Sequence, residues 1–167
     1  MICSSVYESP VGRLRVIEKD GFIIRVFFDN GTAEDYASCS PSALTEKTVS
    51  RLEEYFLGKR RDFDLPLSFA AATPFRKSVW NELLKIPYGS TVSYGGIASA
   101  IGNPKAARAV GSAVHDNPLL IIVPCHRVIG ANGRLTGYAA GLDAKRFLLE
   151  LESENKPESN IDFMTAI

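Results

Sequence analysis

The chain has 167 residues, enough for one ordinary domain or two small ones. With 46% hydrophobic residues, 23% charged residues and a formal net charge of zero, the composition excludes extended disorder. No apolar run approaches the ~20 residues of a membrane-spanning helix, and the first residues lack the basic and apolar parts of a secretory signal. We therefore expect a cytoplasmic protein, or a nuclear one in a eukaryote, with no membrane partner. The three cysteines show no Cys-x-x-Cys spacing, so we expect neither a disulfide framework nor a metal site.

The first 72 residues predict an antiparallel sheet with one helix packed on it. Apolar and polar positions alternate in three segments separated by turn signals, namely 5–8, 14–18 and 23–28. Ser42 then precedes a helical pattern that stops at Gly58. Phe63, Leu65 and Leu67 alternate as a short edge strand. We place a domain boundary near residue 73, which gives an N-terminal α/β domain over 1–72.

Residues 73–152 predict a helical second domain. Thr73 caps one helix, Ser93 caps a short helix, and Asn103-Pro104 precedes a third helix over 105–115. Two short helices joined by a turn that contains glycine have the spacing of a helix-turn-helix.

The rest of this region predicts a wing and a closing helix. The apolar run 119–123 has the length of a buried strand, and Asn132-Gly133 has the chemistry of a hairpin turn. A helix over 143–152 follows, and 153–167 is a polar tail. We therefore predict a winged helix-turn-helix domain over 73–152.

Charge and side-chain size both bear on a nucleic-acid partner. Residues 74–152 carry nine basic and five acidic side chains, which would attract a polyanion, although a solvated basic face has the same composition. The third helix is nearly smooth, with Arg108 its one long side chain. A smooth helix can approach a minor groove that is only ~6 Å wide, and it can equally pack against another helix.

Cys125 is the candidate nucleophile. It lies in Pro124-Cys125-His126-Arg127, directly after the apolar run, where a rigid element would present the thiol to a ligand. An adjacent imidazole and guanidinium favour the thiolate, which is the reactive form. The residues alone leave open that Cys125 is a small buried hydrophobe.

These motifs together carry a family resemblance. Ile122-Val123-Pro124-Cys125-His126-Arg127-Val128, preceded by Gly102-Asn103-Pro104-Lys105-Ala106-Ala107-Arg108-Ala109-Val110-Gly111 and followed by Gly137-Tyr138, resembles the O6-alkylguanine-DNA alkyltransferases. The resemblance covers about residues 74–152. It implies an α/β fold with a ribonuclease-H-like N-terminal domain and a winged helix-turn-helix-like C-terminal domain.

The resemblance also implies an activity. A monomer without a cofactor would bind duplex DNA in the minor groove, flip out O6-alkylguanine, and move the alkyl group irreversibly to Cys125, with O4-alkylthymine as a second substrate. Flipping is needed because the reacting atom is inaccessible within the base stack. An alkyl thioether is a poor leaving group, so each molecule would act once.

The family's motifs assign roles to residues of this chain. His126 would relay the thiol proton through water, with Glu152 orienting it and Asn117 bracing the adjacent turn. Tyr94 would rotate the base and donate to it, and Arg108 would fill the vacated stack. The resemblance further places two groups: the helix surface against DNA, formed by Ala107, Ala109, Gly111 and Ser112, and the substrate pocket, formed by Pro124, Val128, Tyr138, Ala139 and Ala140.

Two positions depart from the family pattern, and three other functions stay open. Ala140 replaces a usual glycine and Leu120 replaces a frequent proline, which implies a narrower pocket for bulky adducts. The alternatives are a lesion-binding protein without catalysis, in which the cysteine would be replaced, a winged-helix regulator, and a cysteine hydrolase. A regulator would need several base-reading side chains on its helix, and a hydrolase would need an oxyanion hole that the sequence does not reveal.

Overall fold

The computed structural model describes residues 1–31 and 33–156. Its N-terminal part is a three-stranded antiparallel sheet in the order β1 (Ile2–Ser9), β2 (Gly12–Lys19) and β3 (Phe22–Phe28). The two outer strands both pair with β2, and Ser9 lies opposite Gly12 where the first hairpin turns. Gly12 has a φ of +130°, which only glycine adopts without strain. The predicted meander is confirmed, and its strands are longer than the alternation indicated.

One helix covers this sheet. Helix α1 (Ala43–Phe56) begins at a capping box in which the Ser42 side chain accepts from the Thr45 amide and the Thr45 side chain accepts from the Ser42 amide. The Thr45 hydroxyl also accepts from Ser5 on β1 at 2.7 Å, which joins helix to sheet. Gly58, with a φ of +73°, follows the helix as predicted.

The predicted edge strand at Phe63–Leu67 is wrong. Leu67 makes a single isolated bridge to Ile23. The guanidinium of Arg51 on α1 binds the carbonyl oxygens of Phe63 and Asp64. These two carbonyls have a side-chain donor instead of a strand partner, and pairing with β3 is limited to two backbone hydrogen bonds at Ile23.

The C-terminal part is mainly helical. Its elements are α2 (Pro74–Leu83), β4 (Val92–Ser93), α3 (Tyr94–Ala100), α4 (Ala107–His115), β5 (Val128–Ile129) and α5 (Leu142–Glu154). The side chains of Thr73 and Ser93 cap α2 and α3 as predicted. Helix α4 begins at Ala107, later than the predicted start at Lys105, and has no side-chain cap. The Asn103 amide instead donates to Ala98 and its carbonyl accepts from Ala106, so Asn103 belongs to the connecting turn.

The predicted strand at 119–123 is also wrong. These five residues are buried, but they form a tight turn in which the Ile122 amide donates to Leu120 at 2.8 Å and the Val123 amide to Leu119 at 2.9 Å. Ile121 has a φ of +71°. An apolar run predicts burial of side chains, and here burial is reached by a turn that a periodicity argument cannot distinguish from a strand.

The predicted wing is reduced to a turn and one parallel pair. The Gly130 amide donates to Arg134 at 2.8 Å, which closes the turn around Asn132-Gly133. No ladder extends from this turn in the described residues. Strand β5, which precedes it, pairs in parallel with β4 instead. The two-residue strand β4 leads directly into α3, so this pairing fixes where the helix-turn-helix begins relative to Cys125.

A continuous hydrophobic cluster joins residues from both halves of the chain. It includes Leu14 and Val26 of the sheet, Leu52 of α1, Val79 of α2 and Leu148 of α5. The predicted fold class, an N-terminal antiparallel sheet with a packed helix and a helical C-terminal part, is confirmed. The boundary near residue 73 stays a prediction, and most of the predicted tail lies outside the described residues. Over 1–31 and 33–156, no helix is both long and apolar enough to cross a membrane.

Candidate active site

Cys125 begins a short 3₁₀ helix (Cys125–Arg127) directly behind the buried turn. The Asn117 side chain closes this turn, because its amide nitrogen donates to the Val123 carbonyl at 2.8 Å and its oxygen accepts from the Leu119 amide at 2.9 Å. The Cys125 amide in turn donates to the Val123 carbonyl at 2.8 Å. Asn117 therefore fixes the backbone from which the cysteine projects.

The sulfur environment differs from the sequence expectation. Cys125 is only 3% exposed, and burial raises the pKa of its thiol to about 11, although Asn117 and Lys145 partly offset this effect. From the sequence we expect the neighbouring imidazole and guanidinium to favour the thiolate, whereas burial favours the neutral thiol in the free protein. Its adjacent basic residues do not counteract burial, because His126 and Arg127 are themselves engaged elsewhere.

His126 and Glu152 form a buried pair. The His126 Nε2 atom lies 2.6 Å from Glu152 Oε2, and the two side chains are 0% and 1% exposed. Burial lowers the pKa of His126, and Glu152 offsets this only in part. The neutral imidazole donates through Nε2, because a carboxylate can only accept. Its Nδ1 atom is buried, has no hydrogen-bond partner among the described residues and is free to accept a proton.

Glu152 is surrounded by donors. Besides His126, its two oxygens accept from Arg127 at 2.7 and 2.9 Å, from the Tyr55 hydroxyl at 2.6 Å and from the Gly89 amide at 3.3 Å. Burial alone would raise the pKa of Glu152, but His126 and Arg127 hold it well below its ordinary value. The carboxylate is therefore charged at neutral pH and fixed in orientation.

A cavity of about 380 Å³ opens onto the sulfur. This volume lies in the range of small-ligand sites, ~300–1,000 Å³. The helix-turn-helix supplies one wall and the segment after the Asn-Gly turn supplies another. The lining residues are Tyr94, Ala107, Arg108, Gly111, Val114, His115, Leu120, Cys125, Thr136, Gly137, Tyr138 and Ala139.

Seven of the fifteen candidate site residues line this cavity. His126, Glu152 and Asn117 are buried and do not line it, and five more lie elsewhere. Ala109 and Ser112 are exposed on α4, and Ala140 is half-buried beside the cavity wall without lining it. Val128 is fully buried in β5. Pro124 is buried and lines a different cavity, with Arg61 and Tyr88. Their proposed contacts with DNA or substrate stay predictions.

Two tyrosines frame the cavity. The Tyr94 hydroxyl, on the first residue of α3, lies 2.6 Å from the Thr136 hydroxyl. Tyr138 contacts the Phe28 ring edge-on, with centroids 6.4 Å apart. Burial, with smaller contributions from Cys125 and Glu152, holds the pKa of Tyr138 well above its ordinary value. Both tyrosines therefore have defined positions before any ligand enters.

Sequence reasoning missed three side chains of this site: Arg127 as a partner of Glu152, Tyr55 and Lys145. Lys145 is fully buried, and its Nζ donates to the Val128 carbonyl at 2.7 Å and to the Thr136 carbonyl at 3.0 Å. Burial lowers the pKa of Lys145. Its position was detectable, because Lys145 and Glu152 are spaced to lie on the same face of α5 as the core residue Leu148. No comparable sequence signal marks Tyr55.

The described part of the chain contains no group of three histidine, cysteine or acidic side chains able to hold a metal ion. The cysteine, the imidazole and the carboxylate of this site supply a nucleophile and a proton acceptor. The thiol forms a covalent bond by losing its proton and attacking an electrophilic carbon. The His126–Glu152 pair has the polarity to take that proton.

The cavity places a cysteine nucleophile against a helix-turn-helix, an element that many DNA-binding proteins contain. Two family models match the chain: the ribonuclease-like domain of 6-O-methylguanine DNA methyltransferase over residues 2–69 and its DNA binding domain over residues 74–154. A methylated-DNA–protein-cysteine methyltransferase of Methanosarcina acetivorans is 48% identical over 151 residues, which cover 89% of this chain and 96% of the relative. The chain belongs to the 6-O-methylguanine DNA methyltransferase family, and the resemblance noted from its motifs is confirmed.

Solved structures agree with this assignment. The O6-methylguanine methyltransferase of Mycobacterium tuberculosis has 43% identity and a TM-score of 0.84, with 94% of this chain and 96% of that chain covered. A structure of the M. tuberculosis OGT in complex with DNA has 43% identity and a TM-score of 0.82, with 92% and 94% covered. The similarity therefore includes both the sheet-containing and the helical parts.

Proposed function

We propose that this protein repairs duplex DNA by moving the alkyl group of O6-alkylguanine, and of O4-alkylthymine, to Cys125. It binds the minor groove as a monomer, and the damaged base leaves the stack and enters the cavity. The observation that carries this proposal is the position of Cys125. Cys125 lines a 380 Å³ cavity together with residues of α4, and the next residue, His126, forms a buried imidazole–carboxylate pair with Glu152 of α5.

The small side chains of α4 support close approach to DNA. Ala107 and Gly111 face the cavity, and Ala109 and Ser112 are exposed on the same helix. Arg108 is exposed between them. Insertion of an arginine between base pairs offsets an unstacking cost of a few kcal/mol. Arg108 is accordingly the residue that occupies the space left by the flipped base.

The proton path begins at the thiol. Cys125 passes its proton through a water molecule to Nδ1 of His126, and the resulting imidazolium is stabilised by the charged Glu152. The sulfur then attacks the alkyl carbon, the S–C bond forms, and the C–O6 bond breaks with its electron pair moving to the purine. The purine regains a proton from the relay, so guanine leaves neutral. The Tyr94 hydroxyl donates to N3 of guanine and stabilises the negative charge that builds there.

Because the sulfur is buried, we expect Cys125 to become reactive only when the damaged base is bound in the cavity. The raised pKa of the thiol, about 11, keeps Cys125 protonated at pH 7. The bound base brings the alkyl carbon to the thiol, so the sulfur is deprotonated through the relay water when its electrophile is in place. The buried thiol is correspondingly protected from unrelated electrophiles while the cavity is empty.

The transfer occurs once. The product is a thioether, which neither His126 nor Glu152 can activate as a leaving group. The other thiols, Cys3 on β1 and Cys39, belong to the N-terminal part of the chain, whereas Cys125 lies behind the turn of the C-terminal part. The protein is consumed in stoichiometric amounts.

The test is incubation with a duplex that carries one O6-methylguanine, followed by mass measurement of the intact protein and its peptides. We expect one methyl group per molecule, on the peptide that contains Cys125, and none in Cys125→Ala. Repeated turnover, or methylation of Cys3 or Cys39, would contradict the proposal. Tight binding to the methylated duplex without any gain of mass would favour the alternative of a non-catalytic lesion-binding protein.

A further inference from the structure

Tyr55 connects the N-terminal helix to the buried acid of the site. It lies in the last turn of α1 and is 0% exposed. Its hydroxyl is 2.6 Å from Glu152 Oε2, although the two residues are 97 positions apart in the chain. This hydrogen bond runs from the part of the chain that covers the sheet to the part that carries the cysteine.

The Tyr55 hydroxyl shares its acceptor with the imidazole. Oε2 of Glu152 accepts from Tyr55, from His126 Nε2 at 2.6 Å and from Arg127 Nη2 at 2.9 Å. An ionised carboxylate has no proton to give, so Tyr55 is the donor. Burial, and then the charge of Glu152, hold the pKa of Tyr55 well above its ordinary value, so the hydroxyl keeps its proton.

Aromatic packing fixes the direction of this donor. The Tyr55 ring meets the Phe56 ring edge-on at 5.3 Å between centroids, and the Tyr88 ring edge-on at 6.2 Å. The Phe63 ring lies on it at 5.6 Å. A ring held on three sides has little rotational freedom, so its hydroxyl specifies where Oε2 can lie.

We propose that Tyr55 is a positioning residue for alkyl transfer, which orients Glu152 and, through it, the proton-accepting imidazole of His126. This inference rests on the proposed function. It assigns the N-terminal part a role in the chemistry: α1 supplies one of the donors that hold the carboxylate, and the DNA-binding part alone lacks this donor.

Loss of the Tyr55 hydroxyl has two expected effects. Oε2 of Glu152 keeps Arg127 and His126 as donors but loses the donor held in place by α1, so the carboxylate orients His126 less strictly and the transfer rate falls. One fewer donor also leaves more negative charge for His126 Nε2, which raises the pKa of the imidazole, so the acid limb of the pH–rate profile moves to higher pH. The ionisable and charged groups around this pair are Tyr55 of α1, Tyr88, Cys125, Arg127, Tyr138, and Lys145 of α5, with Arg61 over the Tyr88 ring.

The experiment compares wild type, Tyr55→Phe and Tyr88→Phe. Tyr88→Phe is the matched control, because its hydroxyl is buried nearby but has no hydrogen-bond partner among the described residues. Transfer rates are measured by intact mass from pH 5 to 9, on a methylated duplex and on free O6-methylguanine base. We expect Tyr55→Phe to be about tenfold slower on both substrates, which is typical of losing a hydrogen bond that orients a reactive group, with unchanged duplex affinity.

The outcomes separate this inference from the proposed function. If wild type transfers no methyl group, the proposed function fails. If wild type transfers and Tyr55→Phe matches it in rate and acid limb, only the role of Tyr55 is overturned. Equal losses in Tyr55→Phe and Tyr88→Phe also overturn it, because they indicate general packing.

A second substitution tests the same inference if Tyr55→Phe folds poorly. Tyr55→3-fluorotyrosine keeps the ring and the hydroxyl but makes the hydroxyl a stronger donor. We expect its acid limb to move to lower pH, opposite to Tyr55→Phe. An unmoved acid limb in this folded protein overturns the inference.

Discussion

The guanidinium of Arg127 donates two hydrogen bonds to the carboxylate of Glu152, from Nε to Oε1 at 2.7 Å and from Nη2 to Oε2 at 2.9 Å. Its Nη1 atom donates to the Ile86 carbonyl at 2.8 Å, which ties the pair to the segment after α2. Both side chains are almost completely buried. Arg127, the immediate neighbour of His126, therefore balances the charge against which the imidazole is oriented.

Removing the Arg127 guanidinium is expected to lower the free energy of unfolding strongly. Arg127→Met leaves the Glu152 carboxylate buried with fewer donors, and breaking a buried ion pair in this way costs about 3–5 kcal/mol. The measurement is the free energy of unfolding in urea. Arg60→Met is the control, because Arg60 binds Glu54 at 3.0 Å on the surface and its loss is expected to cost under about 1 kcal/mol. Similar losses in both variants would contradict this account of the buried pair.

Stability is expected to fall as the pH is lowered. His126 has a pKa below its ordinary 6.5 in the folded protein, so the unfolded chain gains a proton first and unfolding is favoured as the pH falls through about 6.5. Glu152 has a depressed pKa, so the stability it contributes is present above about pH 4.5 and is lost progressively below it. Each group contributes at most about 1.4 kcal/mol per pH unit.

Urea unfolding between pH 8 and 3 measures this dependence. In His126→Gln, the fall near pH 6.5 is expected to become smaller while the fall below pH 4.5 remains. A variant that keeps the full wild-type dependence would show that His126 is not buried in its neutral form.

Cys125 is expected to react slowly with small thiol reagents while the cavity is empty. Cys125 is almost fully buried with a raised pKa, whereas Cys3 and Cys39 are half-buried. Iodoacetamide at pH 7 should therefore label Cys125 last, and its rate should rise about tenfold per pH unit between pH 8 and 10 as the thiolate fraction increases. Peptide mass measurement distinguishes the three sites. Faster labelling of Cys125 than of Cys3 at pH 7 would refute the buried-thiol account.

Arg108 is expected to matter for duplex DNA and not for a free base. Arg108→Ala should slow repair of a methylated duplex by about tenfold or more, equivalent to ~1.4 kcal/mol, because nothing fills the vacated stack. Its reaction with free O6-methylguanine should match wild type. Arg13→Ala, which removes an exposed arginine from β2, is the control for loss of positive charge. Equal losses on duplex and free base would remove any flipping role for Arg108.

Local chemistry explains which parts of the fold the sequence predicted. Thr73 and Ser93 were identified as helix caps, and Ser42 as the residue before a helix, because a cap depends on one side chain and the amides of the next turn. The run from Leu119 to Val123 was misassigned because its apolar composition reports burial and not backbone conformation. Its shape depends on Asn117 and on the β3 backbone, which donates and accepts at Val26.

The site was predictable to the extent that motifs carry it. The cysteine box and the smooth helix specified Cys125, His126 and Arg108 through resemblance. The burial of the sulfur was not predictable, because it depends on how α5 and the turn pack around it. The contact between Tyr55 and Glu152 could not be predicted, because no pattern in a single sequence indicates that these two helices lie together.

Ile121 combines a left-handed backbone conformation, which favours glycine, with a buried side chain, which favours a large apolar residue. A φ of +71° is strained for a β-branched residue, and glycine would relieve that strain. Yet the Ile121 side chain is 1% exposed, and glycine would leave a void beneath the reactive loop. Few substitutions at position 121 are therefore tolerated. Replacing Ile121 with glycine to remove the backbone strain would bring no net gain in stability to an engineered repair protein.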